Sequence, residues 1–149
     1  MKSPGEQSVI NVLYVDDEPS LLEMTQIYLQ KSGDFTVDTE DSAVRALERL
    51  RSGSYDIIVS DYMMPEMDGI EFLKKVRASG SQIPYIFFTG RGREEVVIEA
   101  INNGVDFYLQ KGSDPKSQFT ELSNKIRYAV ERRRAEEARL KSLKIYKIK

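Results

Sequence analysis

The stretch Val9-Ile10-Asn11-Val12-Leu13-Tyr14-Val15-Asp16-Asp17-Glu18-Pro19 joins a nearly continuous apolar, β-branched run to three acids and a proline. The run reads as a strand buried on both faces. Pro19 opens a helix to about Lys31, because the N–H that Pro lacks would be unpaired there anyway. Leu21, Leu22, Ile27, Tyr28 and Leu29 are its apolar candidates, and Gly33 ends it. The alternation then repeats. Phe35–Thr39 is a short, less apolar strand suited to a place near an edge. Asp41 or Ser42 caps a helix burying Ala43, Val44, Ala46, Leu47 and Leu50, and Gly53 stops it. Tyr55–Ser60 is a buried strand, followed by a loop with Pro65 and Gly69 and a helix using Ile70, Phe72, Leu73 and Val76. Tyr85–Phe88 is the fourth strand. A helix from Glu94 to Asn103 points Val96, Val97, Ala100 and Ile101 inward, and Val105–Leu109 is the fifth strand. A last helix starts near Ser117.

Strands separated by helices of about three turns cannot pair as hairpins. The pattern predicts an α/β fold, a doubly wound (βα)5 with a parallel sheet and helices on both faces. In the flavodoxin-like strand order 2-1-3-4-5, ligands bind beyond the strand carboxyl ends, at the switch point between strands one and three. Asp16, Asp17 and Glu18 follow the first strand, Asp61 the third, Thr89 the fourth and Lys111 the fifth. The order therefore gathers Asp16, Asp17 and Asp61. Each close pair of such carboxylates repels by about 4 kcal/mol at 4 Å and an effective dielectric near 20. The cluster calls for a cation, and Mg²⁺ suits it as a small, oxygen-loving ion. Lys111 adds a fixed positive charge and Thr89 a hydroxyl donor. Together these are parts for handling a phosphoryl group, with a carboxylate as nucleophile.

Composition narrows the chemistry. The 149 residues hold no Cys, His or Trp. Disulfides, thiolate or imidazole metal sites, cysteine nucleophiles and Ser-His-Asp triads are excluded, and this chain carries no phosphohistidine. No apolar run approaches the roughly 18 residues of a membrane span, and residues 1–8 form a polar leader without a signal-peptide core. The absent Cys fits a cytoplasmic location. The net charge of −2 conceals an asymmetry: residues 125–149 hold ten Lys/Arg against three Glu, and the first 124 hold twelve against twenty-one Asp/Glu.

From about Ile10 to Ala129 the chain resembles the receiver domain of two-component response regulators. The pieces that carry the resemblance are Val15-Asp16-Asp17-Glu18-Pro19, Asp61-Tyr62-Met63-Met64-Pro65-Glu66-Met67-Asp68-Gly69, Phe88-Thr89-Gly90, and Gly104-Val105-Asp106-Phe107-Tyr108-Leu109-Gln110-Lys111. The resemblance implies that Asp61 accepts a phosphoryl group from a phosphohistidine on a sensor histidine kinase or phosphotransfer protein. It implies that Asp17, Asp61 and the backbone carbonyl of Met63 ligate Mg²⁺, with Asp16 acting through metal-bound water. Lys111 pairs with the phosphoryl group. Thr89 moves toward it and Tyr108 swings inward, reshaping the surface of the fourth helix, fifth strand and fifth helix for an output module or partner, or for a homodimer formed on phosphorylation. Such a domain catalyses its own phosphorylation and dephosphorylation without being a turnover enzyme. Three positions depart from the pattern or tune it: Gly112 stands where the family usually has a cis-Pro, and Met63 and Arg91 occupy sites that set phosphoryl lifetime.

The expected organisation is a leader over 1–8, a receiver over 9–130 and a basic helical extension or linker over 131–149. A heptad seam drawn through Ile126, Ala129, Arg133, Glu136, Leu140 and Leu143 has charges at its middle two positions, which argues for a solvated helix over a coiled coil. The tail is too short for a DNA-binding module, so direct nucleic-acid binding is not expected. It resembles the signalling helix joining some receivers to sensor or kinase modules, as in archaeal hybrid proteins. Two competing functions are a Mg²⁺-dependent hydrolase working through an aspartyl phosphate, and a receiver-shaped interaction domain indifferent to phosphate. The first lacks the D-x-D acid pair after the first strand. The second leaves Asp61, Thr89 and Lys111 without a role.

Overall fold

A computed structural model describes residues 9–90, 94–112 and 114–148. The leader and the Arg91-Gly92-Arg93 stretch lie outside the described residues, as do the side chains of 145–149. The elements run β1 (Ile10–Val15), α1 (Pro19–Lys31), β2 (Phe35–Glu40), α2 (Ala43–Ser52), β3 (Ile57–Ser60), α3 (Gly69–Ala78), β4 (Tyr85–Thr89), α4 (Glu94–Asn102), β5 (Phe107–Gln110) and α5 (Pro115–Ile148). All strand pairs are parallel, in the order β2-β1-β3-β4-β5. The predicted flavodoxin-like fold and the edge position of β2 are what the structure has.

The side-chain period of two divides the core between the sheet's faces. Ile10, Val12, Tyr14, Val59, Ile86 and Phe88 pack under α1 and α5 with Leu22, Leu29, Leu122 and Ile126. Leu13, Val15, Ile58, Tyr85 and Phe87 pack under α2, α3 and α4 with Ala43, Ala46, Phe72, Leu73 and Ala100. Caps fix the helix starts: Ser42 accepts the N–H of Arg45, and Asp68 accepts that of Glu71.

Four expectations need correcting. Ile27 is 61% exposed, because the buried face of α1 runs through Leu22, Thr25 and Leu29 and leaves position 27 on the far side. Ile101 is also 61% exposed: α4 buries only Ala100 and half-buries Val96 and Val97. Val44 points outward for the same geometric reason in α2, where Ala43 and Ala46 hold the inner face. The last helix begins at Pro115, where Asp114 caps it by accepting from the Ser117 N–H. It then continues as one helix through Ile148, while Leu122, Ile126 and Ala129 are buried as expected.

The register sets up the site. Val15 pairs with Ser60, so Asp16 and Asp61 leave the sheet side by side, and the Asp61 N–H donates to the Val15 carbonyl. Thr89 pairs with Gln110, and the Lys111 N–H donates to the Thr89 carbonyl. Behind Asp61, α3 starts so close that a Cβ on Gly69 would land on the Asp61 carbonyl oxygen and within 2.5 Å of the Phe87 ring. The Gly69 N–H meanwhile donates to the Tyr62 carbonyl. Gly69→Ala should therefore lower the unfolding free energy by about 3 kcal/mol, the upper end for overpacking a tight site, read as a drop in urea midpoint. An unchanged midpoint would mean that α3 is free to move away from Asp61.

Candidate functional site

Asp16, Asp17 and Asp61 each place a carboxylate oxygen within 4.8 Å of the others. Asp16 is fully buried, Asp61 nearly so, and Asp17 is exposed. The Lys111 Nζ reaches into this cluster from β5, 2.6 Å from Asp16 Oδ2 and 3.4 Å from Asp61 Oδ2. Its ammonium also lies 5.7 Å from the centre of the Phe88 ring, which floors the site.

The two buried acids are held differently. Asp16 Oδ1 accepts the Glu18 N–H at 3.0 Å, and Oδ2 accepts from both Lys111 and the Tyr14 hydroxyl, the latter at 3.0 Å. Asp61 Oδ1 accepts the Tyr62 N–H at 2.8 Å, and the Ser60 hydroxyl caps the Asp61 carbonyl at 2.7 Å. Burial raises the Asp16 proton affinity above that of an ordinary carboxyl; the Lys111 hydrogen bond and charge pull against this, and Asp61 adds to it.

Thr89 is buried at the end of β4, and its carbonyl is tied to the Lys111 backbone. Tyr108 is half-buried on β5, with its ring 6.0 Å from that of Phe87. Its enclosed hydroxyl has no hydrogen-bond partner among the described residues, and burial raises its pKa, with the Asp61 charge adding to this. Met63 is 52% exposed, whereas Met64 is buried and Met67 packs beside the α3 core.

Gly112 has a use of its own where the resemblance expects Pro. It sits at φ 110°, in the left-handed region, and its N–H donates to Gln118 Oε1 at 2.9 Å. Proline allows neither, since its φ is fixed near −65° and it has no N–H.

Tyr14 is the site residue that sequence reading passed over as core. On a strand, i and i+2 share a face, so an aromatic hydroxyl two residues before Asp16 was a usable signal.

The described residues thus place the Asp61 carboxylate beside the Lys111 ammonium, within a cluster of carboxylate oxygens carrying more negative charge than Lys111 alone offsets. That donor set fits Mg²⁺.

Residues 12–123 match the family model described as the response regulator receiver domain. The chain is 40% identical to response regulator Rre1 of Synechocystis over 108 residues, covering 71% of this chain and 47% of that protein. It is 32% identical to response regulator SaeR of Staphylococcus aureus over 114 residues, covering 76% and 49%. The chain therefore spans about half the length of these curated relatives. Among solved structures, the Francisella response regulator 1452 receiver domain superposes with a TM-score of 0.74 at 28% identity, covering 83% of this chain and 98% of that one. The signal receiver domain of an HD domain-containing protein from Pseudomonas fluorescens gives 0.76 at 27%, covering 85% and 98%. A CheY-like response regulator receiver domain protein from Methanospirillum hungatei, at 22% identity, shares the fold with a TM-score of 0.72, covering 84% of this chain and 99% of that one.

The Lys111–Asp16 pair makes a pH-dependent prediction. A carboxyl that binds its proton more tightly folded than unfolded costs stability once the pH climbs past its unfolded range, near 4. Lys111→Met removes the main counterweight. In metal-free buffer its penalty against wild type should be small near pH 3, where Asp16 is protonated in both states. It should grow to about 3 kcal/mol at pH 7, the lower end for removing one partner of a buried ion pair, since Lys111 keeps some exposure. Urea denaturation across this range checks it, and a penalty independent of pH would show that Asp16 is not the group Lys111 offsets.

Proposed function

The chain belongs to the response regulator receiver family, and on that premise we propose that it is the phosphoacceptor switch of a two-component system, with Asp61 as the acceptor. Receiver domains are signalling modules, and the family implies a histidine kinase partner and an output effector. The observation that carries the proposal is the Lys111 ammonium held between Asp16 and Asp61 at the switch point of the sheet. A cation there can receive the charge that a phosphoryl group brings, while Asp61 stays partly open to a donor.

In the proposed step an Asp61 carboxylate oxygen attacks phosphorus on a phosphohistidine of the kinase or phosphotransfer protein. The new O–P bond gives an acyl phosphate, the P–N bond breaks, and its electron pair stays on the imidazole, which takes up a proton. Since the chain contains no His, the donor lies on another chain or module. Asp16, Asp17, Asp61 and the Met63 backbone carbonyl would hold Mg²⁺. When bound, the ion screens the charge of the incoming phosphoryl oxygens. Lys111 pairs with those oxygens, and the Thr89 hydroxyl donates to one of them.

Phosphorylation adds about −1.5 to −2 charge with strong acceptors. A switch from 1:99 to 99:1 needs about 5.5 kcal/mol of differential interaction, within reach of new bonds to Lys111 and Thr89. Tyr108, already packed on Phe87 with an enclosed hydroxyl, couples Thr89 to the α4-β5-α5 surface in this scheme. The exposed Ile98 and Ile101 on α4 belong to that surface. We assign 9–130 to the receiver and 131–149 to a basic extension, in a protein that works in the cytoplasm. Among the described residues no helix is long and apolar enough to cross a membrane.

A small acyl-phosphate donor with Mg²⁺ should add one phosphoryl mass to the intact chain, and Asp61→Asn should abolish the gain. Equal labelling of wild type and variant would remove Asp61 from the role. Omitting Mg²⁺ should abolish labelling of wild type as well.

A further inference from the structure

Asp16 Oδ2 is shared between two donors. Lys111 Nζ stands 2.6 Å away and the Tyr14 hydroxyl 3.0 Å away, around a carboxylate with no exposed surface. Tyr14 itself is fully buried on β1, its ring among Leu22, Val59 and Phe88 under α1 and α5. An apolar side chain would fill that space, so the ring needs no hydroxyl to pack. The hydroxyl donates to Asp16, with the Thr25 side chain beside it.

If Asp61 is phosphorylated, Lys111 must serve the phosphoryl oxygens. It already leans toward Asp61 Oδ2 at 3.4 Å, and to serve it fully it must give up its 2.6 Å contact with Asp16. Departure of the ammonium takes a donor away from a buried carboxylate oxygen; Mg²⁺, when bound, would supply counter-charge to the acids but not that hydrogen bond, and a buried oxygen left without a donor is costly. The Tyr14 hydroxyl stays on the same oxygen throughout, because its ring is locked in the core.

We propose that Tyr14 is a positioning residue for Lys111: its hydroxyl keeps Asp16 Oδ2 partnered, and so frees the ammonium to pass from Asp16 to the phosphoryl group. This rests on Asp61 being the phosphoacceptor. Without the hydroxyl, Asp16 Oδ2 has Lys111 as its remaining donor and holds it back, while Oδ1 keeps the Glu18 N–H. Tyr14 thereby sets how readily the site accepts phosphate, without touching the donor.

The test uses the full chain with Tyr14→Phe, and with Tyr14→Leu as a second variant that removes the hydroxyl while keeping the site apolar. Two quantities are read. One is the maximal rate of phosphoryl uptake from a small acyl-phosphate donor at saturating Mg²⁺, followed by intact mass. The other is hydrogen exchange of the Lys111 side-chain ammonium in metal-free protein, followed by ¹H–¹⁵N spectroscopy. Uptake should slow about tenfold, the factor carried by one hydrogen bond to a charged group, and ammonium exchange should slow several-fold as Lys111 tightens on Asp16. Wild-type values in either readout overturn the proposal. In particular, slow uptake with unchanged ammonium exchange would assign Tyr14 to packing alone. If the wild-type chain takes up no phosphoryl at Asp61, the functional reading fails by itself. Ammonium exchange then decides the Tyr14–Asp16–Lys111 coupling separately.

Discussion

One ammonium between two buried carboxylates is the interaction on which the rest of this molecule depends. Lys111 comes from β5 at one edge of the sheet, and Asp16 and Asp61 come from β1 and β3 near its centre. The salt bridge spans β4, so it exists only when strands separated by most of the chain have folded into one sheet in register. It also leaves an imbalance, since Asp17 adds a third carboxylate that Lys111 does not meet. The site is therefore built to take up positive charge, or to lend its own.

The sheet's register converts sequence adjacency into this geometry. Val15 opposite Ser60 makes neighbours of Asp16 and Asp61, and Thr89 opposite Gln110 delivers Lys111 beside Thr89. The apolar strands fix that register, because a slip of one residue would turn every buried side chain to the other face. Close packing finishes the work from behind, where Gly69 lets the start of α3 abut the Asp61 backbone. The core thus holds the acids in a position they would not choose electrostatically.

Most of this was legible in the sequence, for a physical reason. Buried strands and amphipathic helices announce themselves by period, and the parallel α/β topology puts the residues after each strand at one edge. Asp16, Asp61, Thr89 and Lys111 could be placed on that basis, with a family motif to sharpen it. What was not legible depends on orientation within an element. Ile27 and Ile101 are as apolar as their buried neighbours, yet the helix rotation that brings Thr25 and Ala100 inward turns both to solvent. Tyr14 hid in the opposite way: inside an aliphatic run it looked like filler, and only the shared face of a strand reveals its hydroxyl on Asp16. Gly112 read as a missing proline until its φ and its bond to Gln118 showed a different solution for the same loop.

The continuity of α5 has a mechanical consequence. Phe119, Leu122, Ile126, Ala129 and Val130 clamp its first half to the sheet, and Arg134 still touches Asp56 at 3.6 Å. The fourteen residues from Ala135 to Ile148 add about 21 Å of helix at 1.5 Å per residue. A helix buried along its first half and exposed along its second is a lever on whatever it carries. A tilt of about 5° at the clamp would carry a point about 21 Å further along about 2 Å sideways. Small changes beneath the clamped half are thereby magnified along the exposed half.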